Sequence, residues 1–433
     1  MSRPAAERSE SVFEDFKHAY GKPQALAEAN RCLYCEDAPC ITACPTSINI
    51  PEFIRKIATD NVKGSARTIF DSNILGMSCA RVCPVETLCV GDCVFNAMDA
   101  PPIQIGKLQR YATDMAYDKG WDFYEAGPDS GKSVGLVGGG PASLACAHEL
   151  RRLGHACTIY EKRDVLGGLN STGVAPYKMK ADRSFDEVEW VLGIGGIDVL
   201  TGVEVGGEDL SFAELESKHD AVFFGAGLGL DRFLGAPGED LPGVRGAVDW
   251  IEEMKLGTPD LSGVQRAVVI GGGNTAVDAV RELVGLGVPS VTMIYRGDEA
   301  GMPGYAHEWA EAKREGAHAA WRSQPVAYLG DGRLEGIACA ALDANKKPIE
   351  GEESIIPADL ALLAIGQGKL GDLLSDLDGI AIEWGRVVVD EDGATGRDGW
   401  YAGGDAANGG KEVVNAAAEG KRAAHAIHAH LGA

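Results

Sequence analysis

Eight of the eleven cysteines in this 433-residue chain are crowded between Cys32 and Cys93. They form two runs, Cys32-x2-Cys35-x4-Cys40-x3-Cys44-Pro45 and Cys79-x3-Cys83-Pro84-x4-Cys89-x3-Cys93. Thiolates at such short spacings can surround a cubane of iron and sulfide, because short loops supply several ligands and a distant cysteine closes the site. The array therefore predicts iron–sulfur clusters.

Zinc is the alternative for these cysteines, because zinc sites also use closely spaced pairs, and free thiols are another. Two features disfavour zinc: no His occurs between Tyr20 and Ala147, and neither run has the paired knuckles of a finger or ribbon. Cys44 and Cys83 each precede a proline, as in bacterial two-cluster ferredoxins, where such a Cys binds the other cluster. The three remaining cysteines fall in apolar patterns and are predicted core residues: Cys146, Cys157 and Cys339.

A first glycine motif follows the apolar run Val134–Val137. It reads Gly138-Gly139-Gly140-Pro141-Ala142-Ser143, and Glu161 ends the next predicted strand. Glycines at 138 and 140 permit a tight turn and the close approach of a pyrophosphate to a helix N-terminus, and Ser143 is small enough for helix–strand packing. Glu161 stands where a carboxylate can hold ribose hydroxyls, so the motif predicts an FAD site.

A second motif, Gly271-Gly272-Gly273-Asn274-Thr275-Ala276, has the same strand-to-helix context and predicts the NAD(P)H site. Its next strand ends in Arg296 instead of an acid, and an Arg there can stack on adenine or contact a ribose phosphate; the alternative is a surface loop Arg. A 2′-phosphate calls for more than one basic group. Because Asp298 and Glu299 follow, and residues 304–306 lack an Arg pair, we predict NADH rather than NADPH.

A third motif, Gly403-Gly404-Asp405, follows a short predicted strand and is typical of the segment that holds FAD phosphates and the ribityl chain; a simple turn is the alternative. The last helix is predicted to begin near Val414, and its positive end can stabilise negative charge on reduced flavin. We assign Gly168 to the same site. FAD binding is thus predicted at Gly138, Gly140, Pro141, Ala142, Ser143, Glu161, Gly168, Gly404, Asp405 and Val414.

The elements that position these motifs change character along the chain. The first part has helical spacing at 50–58, 65–73 and 105–117 with little strand signal, and 125–132 reads as a linker. Strands then alternate with helices, and the same strand–helix–strand order begins again near Arg266. This repeat predicts two doubly wound parallel sheets. The fold class is therefore α/β. Four segments are predicted: a helical iron–sulfur domain (1–125), the first part of an FAD domain (126–235), an inserted NAD(P) domain (236–366) and the second part of the FAD domain (367–433).

Composition excludes several classes of function. The formal net charge of −24 repels nucleic acid and anionic lipid. No apolar run has the length of a signal peptide or a membrane span, so we expect a cytoplasmic protein, where disulfides are disfavoured. No length remains beside these segments for a substrate-reducing barrel. We therefore expect the substrate site on another polypeptide, in a hetero-oligomer.

The order of cysteine array, FAD motif, inserted NAD(P) motif and FAD tail resembles the glutamate synthase small subunit. It is still more similar to the N-terminal half of dihydropyrimidine dehydrogenase and the equivalent separate bacterial subunit. Three details favour the latter: Ser143 in the FAD motif, the run Ser-Cys-Ala-Arg-Val-Cys-Pro beginning at Ser78, and Gln109, which matches an unusual glutamine ligand.

This resemblance implies a ligand set that spacing alone does not give. One 4Fe-4S cluster is bound by Cys32, Cys35, Cys40 and Cys93. The other is bound by Cys44, Cys83, Cys89 and Gln109. Cys79 is then a free thiol. For Gln109 the alternative is an exposed helix glutamine.

The parts predict an electron-transfer subunit that transfers hydride from NADH to FAD and passes electrons through two clusters to a partner. The resemblance implies that this partner is an FMN-containing barrel. No acid–base residue is predicted, since hydride transfer needs orientation rather than proton transfer. The alternatives are a glutamate synthase small subunit, the flavin subunit of an oxoacid oxidoreductase complex, and a metal or thiol sensor that binds nucleotide without turning it over.

Overall fold

The computed structural model describes residues 7–368, 370–374 and 377–432. Up to residue 125 its described residues contain helices and no strand. They are α1 (Lys22–Ala29), α2 (Pro39–Thr42), α3 (Ile50–Ala58), α4 (Val62–Ser72), α5 (Gly76–Val82) and α6 (Ile105–Asp118), with 3-10 turns at Ser9–Val12, Val85–Thr87 and Val94–Met98. Buried side chains at helical spacing explain α3: Ile50, Phe53, Ile54 and Ile57.

The next segment builds the first parallel sheet. Its elements are β1 (Ser133–Val137), α7 (Pro141–Arg152), β2 (Ala156–Glu161), α8 (Leu169–Thr172), α9 (Ala181–Leu192), β3 (Ile197–Thr201), α10 (Phe212–Lys218) and β4 (Ala221–Phe224). Together with β15 (Trp400–Ala402), the strands form a sheet of order β15-β4-β1-β2-β3, and every pairing is parallel. The strand order reverses at β1, so the loop after β1 lies at the switch point where such sheets bind ligands.

The second parallel sheet repeats this plan. Its segment comprises β5 (Val244–Gly246), α11 (Ala247–Leu256), β6 (Arg266–Ile270), α12 (Asn274–Gly285), β7 (Ser290–Tyr295), α13 (Ala306–Arg314), β8 (His318–Trp321), β9 (Ser323–Leu329), β10 (Gly336–Leu342), β11 (Pro348–Pro357) and β12 (Leu360–Leu363). The order β5-β12-β6-β7-β8 places the loop after β6 at the switch point. Strands β9 to β11 form a separate antiparallel sheet, which the sequence analysis missed.

The last described elements are α14 (Gly371–Leu374), β13 (Ile382–Glu383), β14 (Arg386–Val387), β15 (Trp400–Ala402), α15 (Asp405–Asn408) and α16 (Val413–Leu431). They return the chain to the first sheet, where β15 pairs with β4. The predicted α/β class, with a helical part followed by two doubly wound sheets, is confirmed. In the described part of the chain no helix is both long and apolar enough to cross a membrane.

The chain divides into two compact units. One contains residues 7–14, 175–177 and 229–368, and the other contains 15–174, 178–228 and the described residues after 369. In the second unit one hydrophobic cluster runs from the helical part into the first sheet and includes Phe53, Leu108 and Leu136. A second cluster of this unit includes Val137 and Phe224. The cysteine-rich part therefore packs together with the predicted FAD half. The four predicted segment boundaries stay a prediction.

Candidate functional site: two dinucleotide loops and two cysteine groups

The first glycine loop leaves β1 and enters α7. Gly138 has φ +87°, and a Cβ there would lie 2.7 Å from Gly225 O. A Cβ on Gly139 would lie 2.2 Å from a methyl carbon of Leu166. A Cβ on Gly140 would meet protein only at 3.9 Å, at Gly168 Cα. The first two glycines thus satisfy packing within the protein, whereas the third leaves open space at the start of α7, where a pyrophosphate could bind.

Glu161 lies under this loop at the end of β2 and is 6% exposed. Its Oε2 accepts a hydrogen bond of 2.7 Å from Gly139 N, and its Oε1 accepts one of 2.8 Å from Arg163 N. Each carboxylate oxygen can accept more than one hydrogen bond, so capacity remains for ribose hydroxyls. The carboxylate thereby fixes the loop, and its contact with the adenosine side of FAD stays a prediction.

Two distant segments close onto the same helix start. A Cβ on Gly168 (φ +53°) would lie 2.9 Å from Gly140 Cα, and one on Gly404 (φ +66°) would lie 3.0 Å from Ala142 Cβ. Pro141 begins α7. Ser143 is fully buried, and a Cβ on Gly225 would lie 2.3 Å from its Oγ. Position 143 therefore has room only for a small side chain. The structure thus brings the first, third and intermediate FAD motifs together.

Asp405 begins α15 directly after Gly404. The pKa of Asp405 is raised to about 6, mainly by burial, and the nearby Glu419 and Glu412 raise it further. A hydrogen bond from the Lys411 N–H acts in the opposite direction and lowers it. The loop itself is fixed by Gly404 N, which donates to Glu419 Oε2 at 2.8 Å.

The final helix α16 begins at Val413, and its first turn is buried at Val414, which is 2% exposed. Asn415 closes a capping box with Glu412 at this end of the helix. Val414 therefore lies at the helix N-terminus that the sequence assigned to the flavin site.

The second glycine loop, between β6 and α12, is built in the same way. A Cβ on Gly271 (φ +144°) would lie 2.3 Å from Ala364 O, and one on Gly272 would lie 2.5 Å from the Tyr295 ring. A Cβ on Gly273 would meet no protein atom within 4 Å. The open space is therefore again at the third glycine.

The start of α12 is held by the segment that follows β7. Asn274 Oδ1 accepts a hydrogen bond of 3.0 Å from Tyr305 N, and Gly304 N donates to Gly272 O at 2.9 Å. Thr275, in the first turn, is exposed. The side chain of Asn274 is thus engaged within the protein, whereas that of Thr275 faces outward.

Arg296 is exposed in the loop after β7. The structure places a second cation beside this loop, which the sequence analysis missed: Arg322 N donates to Gly297 O at 2.8 Å. The Arg322 guanidinium pairs with Asp298 at 3.3 Å, and Glu299 pairs with Lys313. Arg322 follows β8, the strand paired with β7, so only the sheet topology could have revealed it.

The first cysteine group surrounds one cavity. Its walls include Cys32, Cys35, Cys40 and Cys93, together with apolar side chains such as Ile54 and Ile103. Burial raises the pKa of Cys40 to about 12, and the neighbouring Cys32, Cys93 and Cys35 add to this. Because the raised pKa keeps the Cys40 thiol protonated at pH 7, this side chain needs a positive centre nearby to act as a thiolate ligand, and a metal cluster would provide one.

The second cysteine group is Cys44, Cys83 and Cys89. Burial raises the pKa of Cys89, and the groups that add to it are Cys83, Cys44 and Cys40. A hydrogen bond with Cys79 is the largest cause that raises the pKa of Cys83, followed by burial. Cys79 therefore lies beside this group as well, and its Sγ accepts a hydrogen bond of 3.1 Å from Asn73 Nδ2.

Gln109 lies on the face of α6 that packs against α5. One turn earlier, a Cβ on Gly106 would lie 3.2 Å from Val85 Cγ1 and 3.5 Å from Ala80 O. Gln109 is 7% exposed, and its Nε2 donates to Gly76 O at 2.8 Å. The amide nitrogen is thus engaged within the protein, and the role of the carboxamide oxygen as a cluster ligand stays a prediction.

The first cysteine group has the arrangement that a cluster requires. Cluster thiolates stand around a shared space, because iron and sulfide lie between them. The four thiols around one cavity, lined by apolar side chains, therefore suit an iron–sulfur cluster.

Comparisons with known families agree with this geometry. Residues 8–121 match the family described as dihydropyrimidine dehydrogenase domain II, 4Fe-4S cluster. Residues 132–420 match the family described as pyridine nucleotide-disulphide oxidoreductase. The resemblance drawn from the motifs is confirmed, and so are the FAD and iron–sulfur assignments in their general form.

Individual relatives cover nearly the whole chain. The NADPH glutamate synthase small chain of Halomonas elongata is 34% identical over 99% of this chain and 95% of its own length. The NAD-dependent dihydropyrimidine dehydrogenase subunit PreT of Escherichia coli is 33% identical over 98% of both chains. The solved thioredoxin reductase of T. acidophilum, 22% identical, aligns with a TM-score of 0.56 over 70% of this chain and 100% of its own, which shows a shared fold.

Proposed function

Because the chain belongs to the pyridine nucleotide-disulphide oxidoreductase family and is an NAD(P)H-dependent flavin and iron–sulfur enzyme, we propose that it is the electron-input subunit of a larger complex. It takes hydride from NADH to FAD and passes electrons through two 4Fe-4S clusters to a catalytic partner. The observation that carries this proposal is that two groups of thiols and the FAD loop occur in one unit, with a second dinucleotide loop in the same chain.

The chain's own residues bind and orient in this mechanism. FAD, when bound, supplies hydride acceptance and one-electron release. The open space at Gly140 would receive the FAD pyrophosphate. The carboxylate of Glu161 would accept hydrogen bonds from ribose hydroxyls, and Asp405 would contact the polyol chain. The open space at Gly273 would receive the pyrophosphate of NADH, with Thr275 and Arg296 nearby. No residue is required as a general acid or base.

The proposed cluster ligands are Cys32, Cys35, Cys40 and Cys93 for one site, and Cys44, Cys83, Cys89 and Gln109 for the other. The common cavity supports the first set, and the nearness of Cys83 and Cys44 to Cys89 supports the three thiols of the second. Gln109 is included because of the resemblance. Anaerobically purified protein should contain about eight irons and one FAD per chain. Stoichiometric zinc with little iron would refute the assignment.

Two variants test which residue is the fourth ligand of the second cluster site. Gln109→Ala should change the EPR signal or potential of one cluster with FAD content intact, whereas Cys79→Ser should keep both clusters. Because Cys79 lies beside Cys83, the reverse result would make Cys79 the ligand and Gln109 a packing residue.

We propose dihydropyrimidine dehydrogenase as the complex and an FMN-containing barrel as the partner. The family match of residues 8–121 and the relative PreT support this choice. The chain alone should reduce artificial dyes with NADH and leave uracil unchanged, and adding the barrel subunit should give pyrimidine reduction. Uracil reduction by the isolated chain would contradict the two-subunit proposal.

A glutamate synthase small subunit is the second candidate, supported by the Halomonas relative. It predicts activity only with a large amidotransferase subunit, 2-oxoglutarate and glutamine. An oxoacid oxidoreductase partner is the remaining alternative. Identifying the protein that co-purifies with the chain decides among the three.

We propose NADH as the physiological coenzyme. Asp298 occupies the loop after β7 and pairs with Arg322, so the second cation of this region is already neutralised. A 2′-phosphate would meet Arg296 and an acidic neighbour. The test is kcat/KM for both coenzymes with a dye acceptor, and an equal or higher value with NADPH would refute the proposal.

A further inference from the structure

Glu187 is a buried acid that the proposed function does not use. It lies on α9, in the predicted FAD half, and is 1% exposed. Its Oε1 accepts hydrogen bonds from Met77 N at 3.0 Å and Ser78 N at 3.1 Å, and its Oε2 accepts one from Ser78 Oγ. A buried carboxylate is expensive unless its oxygens are hydrogen-bonded, so this residue is committed to the segment at 77–78.

That segment is the start of α5. The residue before the helix, Leu75, offers no side-chain cap, so the N–H groups of the first turn need an acceptor from elsewhere. Glu187 provides that acceptor, although it lies 110 residues after Met77 in the sequence. The position of this helix start therefore depends on α9.

The same helix start touches the second cluster site. Gly76, the first residue of α5, offers the carbonyl that accepts the hydrogen bond from Gln109 Nε2 at 2.8 Å. The last residue of α5 is Val82, so the helix leads directly into Cys83, and Cys79 lies within it. Glu187 thus holds the helix that orients Gln109, Cys79 and Cys83.

The FAD loop is tied to the same point. Asn170, two residues after Gly168, donates from Nδ2 to Ser78 Oγ at 2.7 Å. Ser78 therefore accepts from the FAD-side segment and donates to Glu187. A continuous set of hydrogen bonds links α8, α5 and α9.

We propose that Glu187 is a positioning residue for the second iron–sulfur site, which it holds in register with the FAD loop through Met77, Ser78 and Gly76. This inference rests on the proposed function, because it requires two clusters. It applies whether Gln109 or Cys79 is the fourth ligand, since α5 orients both. The first cysteine group is lined by other elements and should not depend on Glu187.

The test compares Glu187→Ala with Glu187→Gln in the FAD- and iron-loaded chain, with Glu189→Ala as the matched control on the exposed side of the same helix. Iron and FAD content, EPR spectra of the reduced protein and cluster potentials are measured. Glu187→Ala should lose or alter one cluster's signal, with iron falling from about eight towards about four, while FAD and the other signal persist. Glu187→Gln should restore both signals, because its carboxamide oxygen accepts the two backbone N–H groups.

Ser78→Ala gives an independent measurement if Glu187→Ala is not recovered folded. It removes one hydrogen bond to Glu187 and the acceptor of Asn170, and leaves both backbone bonds. It should shift the potential or EPR signal of the same cluster only. Unchanged spectra in Ser78→Ala and Glu187→Ala would overturn the proposal, as would loss of FAD and both clusters together. A wild-type chain with only about four irons would instead refute the two-cluster function itself.

Discussion

The two glycine loops are built on one plan and differ in what lies beside them. In each, the first glycine lies against a backbone carbonyl, Gly225 O or Ala364 O, and the second lies against a side chain. In each, the third glycine opens onto space without protein atoms closer than 3.9 Å. The first two positions serve the fold, and the third leaves the space that we propose for the ligand.

The loops differ at the end of the second strand. Glu161 hydrogen-bonds back to its own loop, whereas Tyr295 covers Gly272 and is followed by the exposed Arg296. A carboxylate fixed under the loop suits ribose hydroxyls, and a cation at the surface suits a coenzyme that binds and leaves. The comparison teaches that two loops with the same glycine geometry present different chemistry at the end of the second strand, a carboxylate in one and a guanidinium in the other.

The largest expected effect is at the first glycines. Gly138→Ala and Gly271→Ala each force a Cβ into a carbonyl oxygen and a residue into positive φ, so unfolding free energy should fall by about 3 kcal/mol. Gly131→Ala and Gly263→Ala are matched controls with positive φ and no atom within 4 Å, and should lose about 1 kcal/mol. Denaturant unfolding checks this, and equal losses in all four variants would contradict the packing role.

The next largest effect is expected at the third glycines, where substitutions should affect FAD binding at one loop and NADH binding at the other. Gly140→Ala and Gly273→Ala fit the protein, but each methyl group takes ligand space. Gly140→Ala should weaken FAD binding by roughly tenfold to a hundredfold. Gly273→Ala should keep FAD and raise KM for NADH by a similar factor. Each variant is the control for the other, and FAD loss in Gly273→Ala would reverse the assignment.

Glu161→Gln should weaken FAD binding by about tenfold, because a charged acceptor is replaced by a neutral one. The carboxamide oxygen still accepts the Gly139 N–H, so the loop should keep its shape. Equilibrium dialysis of FAD measures the effect. KM for NADH serves as the internal control, and a change there with unaltered FAD affinity would assign Glu161 to the other coenzyme.

Asp405 gives the first dinucleotide region a pH dependence of its own. Its pKa is raised from the ordinary 3.8 to about 6 by burial, so its contribution to stability is fully present below 3.8 and is lost as pH rises through about 6. FAD-free Asp405→Asn should therefore be more stable than wild type at pH 8 and about equal to it near pH 4, because only the wild-type carboxylate must ionise in the buried site. Urea midpoints at both pH values check this. A constant difference between the proteins would show that the ionisation of Asp405 is not responsible.

The smallest effect concerns coenzyme choice. Asp298→Asn frees Arg322 from its ion pair, so kcat/KM for NADPH relative to NADH should rise by about threefold. Arg322→Ala should cancel this gain in the double variant. An unchanged ratio in Asp298→Asn would remove Asp298 from the selectivity region.

Most of the fold could be predicted because the apolar strands and glycine turns are local signals. The strands near Val134 and Arg266, the helices from Pro141 and Asn274 and the last helix all occur, with ends shifted by a residue or two. The antiparallel sheet β9 to β11 was missed, since β11 is largely exposed and rich in glutamate, and therefore has no apolar alternation. Its pairing with β10 is a property of tertiary contacts.

The sequence by itself determined the chemistry of the protein: thiols in short runs, two glycine loops after strands, and an acid or an Arg at the end of the second strand. Only the tertiary structure decided which distant groups meet. It brought Cys93 to the cavity of Cys32, set Arg322 beside Asp298 and placed Glu187 at the start of α5. The reason is that spacing along the chain reports turns and ligand loops, whereas contacts between remote residues depend on how helices and sheets pack.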